Sequence, residues 1–338
     1  MTADSRRQLA GLVLLGLALF LAGCEKTQET YRLIGAIADS GYRVSLVGNF
    51  DEAHLQLLEE GVADTLKSVE GLISAEQESS ERTLLNRSSV GLPVLLSEPA
   101  AVVLRAALAA SHARQEGPAG AGDHHRDFGH ERDFVKIEPD TAVSTSGPLL
   151  DYRQAFNERV PISVDFSPVA RGYAADRVAA YLDDHDVEGY LVEVGGQLRS
   201  RGHRPGGAPW HVAITHDGGG ETHDVRAAVT LGDAALATVW AGRDTLHDKK
   251  RRDASLSVPP ADFSTSRPAI VTVIADRCAV AATWAVTLAR LESEAALKVA
   301  ERESIAAYFV VQTDSGFKTI YSSAFTPYLG QAGEGERS

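Results

Sequence analysis

Between residues 51 and 73, apolar side chains fall at Leu55, Leu58, Val62, Leu66, Val69 and Leu72. Steps of three and four residues turn one helical face toward a core, so this segment predicts an amphipathic helix. A second helix is predicted over Pro99–His112, with proline in the first turn, where its missing N–H breaks no helical bond. A third covers Gly172–Asp183, with Ala174, Val178, Tyr181 and Leu182 on one face, and two more cover Ala279–Leu291 and Glu294–Glu301. Alternation marks a strand around Tyr42–Val47 within residues 31–49. Further strands are predicted at Arg159–Asp165, Tyr190–Val194, Gln197–Arg201, Trp210–Ile214, Ala227–Leu231, Ile270–Ala275, Tyr308–Gln312 and Phe317–Tyr321. Residues 114–133 and 241–267 have no period and read as loops. Strands joined by short turns, with helices between them, predict an α+β fold: mixed or antiparallel sheets with packed helices.

The first 24 residues follow a different pattern. Arg6 and Arg7 precede an apolar run, Leu9 to Leu21, that is short for a permanent span. It ends in Leu21-Ala22-Gly23-Cys24, which resembles a bacterial lipobox, where the cysteine thiol takes a diacylglycerol. The expected division is a lipoprotein signal peptide over 1–23, a tether over 24–30, one domain over 31–328 and a C-terminal tail over 329–338. Lipid on Cys24 anchors a chain to a membrane without spanning it. The expected location is the bacterial cell envelope, facing the periplasm. The other cysteine is Cys278, so lipidation of Cys24 leaves no pair for an intramolecular disulfide.

Composition narrows the function. With 338 residues, 44% hydrophobic and 23% charged, the chain can bury a large core and is not a disordered polymer. Its 33 basic against 46 acidic residues give a formal charge of −13, and no nucleic-acid partner is expected, since phosphate backbones are held by concentrated cations.

The candidate chemistry lies between residues 165 and 214. Asp165 ends a predicted strand, Arg171 opens a predicted helix, and Gly195-Gly196 joins two short strands ahead of a Gly-x-x-Pro-x-Gly loop running into Trp210. A two-glycine turn lets a flat or phosphorylated ligand approach the main chain. A guanidinium at a helix start can pair with a phosphate, helped by the partial positive charge of the helix end. In order and spacing this block resembles the ApbE family of FAD:protein FMN transferases. Weaker likenesses at Gly35–Val44, Ser74–Asn86 and Val271–Leu291 extend the match over most of the chain.

The resemblance implies an ApbE-like flavin transferase domain. Its activity would be magnesium-dependent transfer of FMN from FAD to a Thr or Ser of a target protein, releasing AMP. FAD is the implied substrate, with Asp165, Arg171, Gly195 and Gly196 holding it and the backbone carbonyl of Pro168 offered to the metal. The implied acceptor is a flavin-bearing subunit of an NADH:quinone reductase or Rnf-type complex, or an extracytoplasmic reductase.

Several family positions are changed. The Asp and Thr metal ligands fall at Ala282 and Val286, which have no side-chain oxygen for magnesium. The flavin-contacting Met, the Ser-Thr-Tyr and the Ala-Phe-Asp fall at Ala38, Ser74-Ala75-Glu76 and Arg114-Gln115-Glu116. Two readings stay open. In one, the transferase works with a shifted site, with Glu116, Asp123, His124 or Asp127 as replacement ligands. In the other, the fold is catalytically impaired and binds flavin or nucleotide as an accessory protein. Trp240 and Trp284 could fill the cleft the flavin would occupy. Trp210 reads as core, Cys278 as a buried inert thiol, and the histidines at 124, 125 and 130 with Asp123 as a solvated loop.

Overall fold

The computed structural model describes residues 28–37, 40–73, 77–89, 92–97, 100–101, 104, 135–139, 153–157, 167–216, 224–240, 267–313 and 316–329. Segment 31–49, predicted around one strand, is a hairpin of β1 (Glu29–Ile37) and β2 (Ser40–Gly48). Helix α1 (Glu52–Ile73) follows as its spacing predicts. A short helix α2 (Glu81–Arg87), capped by Ser80, leads to a three-stranded sheet of β3 (Pro93–Leu96), β4 (Val135–Pro139) and β5 (Arg153–Asn157). None of these four was visible in the sequence pattern. Of the helix predicted over 99–112, residues 100, 101 and 104 are described and helical. The strand predicted at 159–165 lies outside the described residues.

Helix α3 (Ser167–Asp184) starts five residues before its prediction, because Pro168 sits inside its first turn instead of ending the preceding segment. After it come β6 (Gly189–Val194) and β7 (Gln197–Arg201), a 3₁₀ turn at Pro205–Gly207, and the two-stranded sheet of β8 (Trp210–His216) and β9 (Asp224–Leu231). The chain closes with β10 (Ala235–Trp240), β11 (Pro268–Ala275), α4 (Cys278–Ala289), α5 (Ser293–Arg302), β12 (Ala306–Thr313), β13 (Gly316–Tyr321) and a 3₁₀ turn at Ser323–Tyr328. The main sheet has the order β1-β2-β6-β7-β10-β11-β12-β13. Every named pairing is antiparallel.

Layers cover both faces of that sheet. Leu58, Val62, Leu66 and Val69 of α1 and Val178 and Leu182 of α3 pack on Leu33, Val44, Tyr190 and Val192. Helices α4 and α5 pack on Val271, Val273 and Phe309. On the opposite face, Trp210, Val229, Leu231 and Phe325 cover Leu198, Leu236, Ile270 and Val310. Strand β11 therefore buries alternate side chains in two different clusters, which explains its unbroken apolar run. Each such side chain withdrawn from water contributes about 1.5–3 kcal/mol.

The α3 C-terminus is fixed to the sheet by a polar contact. The buried Tyr190 hydroxyl donates to Asp183 Oδ1 at 2.7 Å, and Arg201 Nη1 reaches the same oxygen at 2.6 Å. Burial, then the Asp183 contact, pushes the Tyr190 phenol well above its ordinary value, so it stays a neutral donor. Tyr190→Phe is expected to cost about 1.5 kcal/mol, a typical hydrogen bond to a charged group. Urea unfolding checks this; an unchanged midpoint would remove the bond from the account.

Candidate functional site

Strands β6 and β7 pair through Val194↔Gln197, leaving Gly195 and Gly196 as a two-residue turn. Their φ angles are 54° and 83°. Two successive positive values define a type I′ turn, which matches the strand twist and is open to glycine at little cost. The Gly195 N–H donates to the Gly41 carbonyl at 2.9 Å, joining the turn to the start of β2. A Cβ on Gly195 would stand 2.5 Å from Arg171 Cδ, 3.1 Å from Arg171 Nε and 3.0 Å from Ser40 Oγ. The Arg171 side chain thus lies directly across Gly195. Among the described residues a Cβ on Gly196 would meet nothing within 4 Å, and Gly196 is exposed, so the turn is packed on one side and open on the other.

Arg171 lies one turn inside α3 and is half-buried. It does not open the helix, as the sequence suggested; Ser167 does. A guanidinium on the first turns of a helix, near its positive end, is a combination that binds phosphate oxygens. Pro168 occupies the first turn of α3, where its carbonyl is directed along the helix toward the residue four positions on. Asp165 and Cys24 lie outside the described residues, as do Glu116, Asp123, His124 and Asp127. The structure therefore brings together Arg171, Gly195 and Gly196 of the sequence-derived set, and adds Ser40 and Gly41.

One residue that sequence reasoning gave no role holds this region to the rest of the fold. Asp176, five residues after Arg171, accepts from the Cys278 N–H at 2.8 Å and the Ala279 N–H at 2.9 Å. It caps α4, whose own N-cap residue, Arg277, makes no side-chain cap. Beside it, an Arg199 Nη donates to the Asp276 carbonyl. Desolvation raises the Asp176 pKa, and the two N–H donors, Arg277 and Arg199 oppose that rise. Gly172 completes the seam: a Cβ there would stand 2.7 Å from the Cys278 carbonyl oxygen, so α3 and α4 meet backbone to backbone. Cys278 is buried, and burial pushes its thiol well above the ordinary value, in keeping with an inert role.

The implied magnesium finds no side-chain ligands at positions 282 and 286. Ala282 and Val286 are buried among apolar side chains between α4 and the sheet. A hard dication needs several oxygen donors at close range, and these side chains have none. Among the described residues, no group of three His, Cys, Asp or Glu could hold a metal ion. The expected filling of one cleft by two tryptophans is also corrected. Trp284, on α4, packs in the cluster under that helix, whereas Trp240 of β10 points to the opposite face of the sheet from its neighbour Val239. Trp210 is core, as predicted.

Comparison with known proteins gives this arrangement a lineage. The FAD:protein FMN transferase of Vibrio cholerae is 28% identical over 94% of this chain and 98% of its own length. Those of Haemophilus influenzae and Escherichia coli K12 are 26% and 29% identical, each spanning 97% of the relative. The solved flavin transferase ApbE from Vibrio cholerae superposes with a TM-score of 0.68 at 22% identity, covering 89% of this chain and all of that one. The ApbE protein of Thermotoga maritima gives 0.66 at 16% identity, over 90% of this chain and all of its own. Both superpositions establish the fold. A family profile described as "ApbE family" matches residues 39–309, and the chain belongs to that family.

Proposed function

We propose that this chain is a FAD:protein FMN transferase that binds FAD across the β6–β7 turn and the start of α3. The observation that carries the reading is the match, along nearly their whole length, to relatives bearing that name. In the reaction, a Thr or Ser hydroxyl of the acceptor attacks the phosphorus of the FMN half. A new P–O bond forms, the P–O–P anhydride breaks, AMP leaves with the electron pair, and the hydroxyl proton passes to solvent. Arg171 steadies the pyrophosphate charge, and the open side of Gly196 leaves the main chain accessible to it. Asp165 is assigned to the flavin or the acceptor.

We assign the acceptor to the flavin-bearing subunits named by the resemblance, in an NADH:quinone reductase or Rnf-type complex or an extracytoplasmic reductase. Cys24 carries the lipid, and the domain faces the periplasm. Partition of Cys24→Ser with membranes as fully as the unsubstituted chain would overturn that assignment.

A second reading rests on Ala282 and Val286, which remove the side-chain oxygens family members offer to magnesium. It keeps FAD binding and omits transfer. The two are separated with residues 25–338, FAD, Mg²⁺ and a Thr-bearing acceptor domain. AMP release with covalent FMN on the acceptor supports the transferase. FAD binding without AMP supports the binding protein, and absence of both refutes each.

A further inference from the structure

On the sheet face turned away from α1 and α3, the outer side of β1 is left uncovered, and Ile34 is 68% exposed there. The β1–β2 register sets Arg32 opposite Ser45 and Thr30 opposite Val47, a member of the apolar cluster on that outer face. Thr30, Arg32 and Ser45, with Arg204 and Trp210 at the entrance to β8, line a cavity of about 410 Å³. Arg204 Nε donates to the Pro209 carbonyl at 3.2 Å, which steadies the side chain, and among the described residues its Nη nitrogens have no acceptor. Among the described residues neither arginine forms a salt bridge. Two guanidiniums and two hydroxyls around one cavity suit a phosphate.

The place of this cavity in the chain narrows its ligand. Thr30 follows Cys24 by six residues, a span of at most about 20 Å when extended. Acyl chains on Cys24 would hold the cavity close to the headgroup layer. A chain of charge −13 is repelled by an anionic surface as a whole, so any attraction must come from a local cluster of this kind. We infer that the cavity of Thr30, Arg32, Ser45 and Arg204 binds the phosphodiester headgroup of an anionic phospholipid in the leaflet that carries the tether, an inference resting on the tether reading above. The Gly195 turn lies at the other end of the β1–β2 hairpin: its partner Gly41 pairs with Ala36, about 20 Å from Thr30 along β1 at 3.3 Å per residue. Seating the cavity on the bilayer orients the flavin cradle away from it, toward a partner.

Residues 25–338 contain every described element, and their binding to vesicles can be measured by co-sedimentation without the lipid. Binding to phosphatidylglycerol/phosphatidylethanolamine vesicles is expected to exceed binding to phosphatidylcholine vesicles. Arg32→Ala or Arg204→Ala should each weaken it about fivefold, and both together about 30-fold. Arg43→Ala is the control, since Arg43 already faces Glu193 at 3.4 Å, and should leave binding unchanged. Equal binding by the double variant, an equal loss in Arg43→Ala, or complete displacement by inorganic phosphate overturns the inference. Palmitate labelling of the full chain and of Cys24→Ser tests the tether separately. A chain that takes no label refutes the tether and the orientation, and the vesicle series still decides the cavity.

Discussion

Arg171→Ala is expected to weaken FAD binding about 100-fold, read by flavin fluorescence. The side chain lies across Gly195, and a charge-assisted bond to phosphate is worth about 1.5–3 kcal/mol. Arg171→Lys should recover part of the affinity, because lysine restores the charge without the planar fork. The two glycines give an internal control. Gly195→Ala places a methyl 2.5 Å from Arg171 Cδ and must displace that side chain, so its affinity should fall toward that of Arg171→Ala. Gly196→Ala meets open space and carries only the strain of a positive φ, about 1 kcal/mol of stability, with affinity nearly retained. Equal affinity losses in both would mean the turn acts through its backbone shape alone.

Asp176→Ala is the change expected to weaken the fold most. It leaves the Cys278 and Ala279 N–H groups without their acceptor at a buried helix start. Each orphaned donor costs about 1–3 kcal/mol, and the melting temperature should fall by on the order of 10 °C. Asp176→Asn keeps one acceptor and should lose about half as much. Gly172→Ala strains the same seam by overpacking, at about 1–3 kcal/mol.

The pH dependence has a definite sign. Burial holds the Asp176 pKa above its unfolded value, so the folded state keeps this proton more tightly than the unfolded chain does. The resulting stabilisation is complete below the ordinary carboxylate range and is lost as pH rises through the raised value. Asparagine carries no such linkage. The stability gap between the unsubstituted protein and Asp176→Asn should therefore narrow with rising pH, and a gap that widens would reverse the assignment.

The sequence reveals these parts unequally. Helix α1 is legible because Leu58, Val62, Leu66 and Val69 meet one core at helical spacing. The β6–β7 turn is legible because two glycines between short apolar runs have few other uses. Strand β10 is not: Ala235, Leu236 and Ala237 are buried on both faces, and small residues carry no alternation. The start of α3 is masked by Pro168, which reads equally well as a helix opening or as a break before it. Asp176 is the largest omission. Its partners lie 102 and 103 residues downstream, and no local pattern connects a helix carboxylate to the first turn of a distant helix. The changes at Ala282 and Val286 are visible as residues, but only the structure shows both closed into an apolar cluster.

The proposed FAD site lies where α3 begins and β6 turns into β7. Amide hydrogen exchange with and without FAD tests it directly. Slowed exchange is expected at Arg171–Tyr173 and Val194–Gln197, with β13 and the α5 helix unchanged. Binding of FAD with protection confined to other segments, and none at these two, would contradict it.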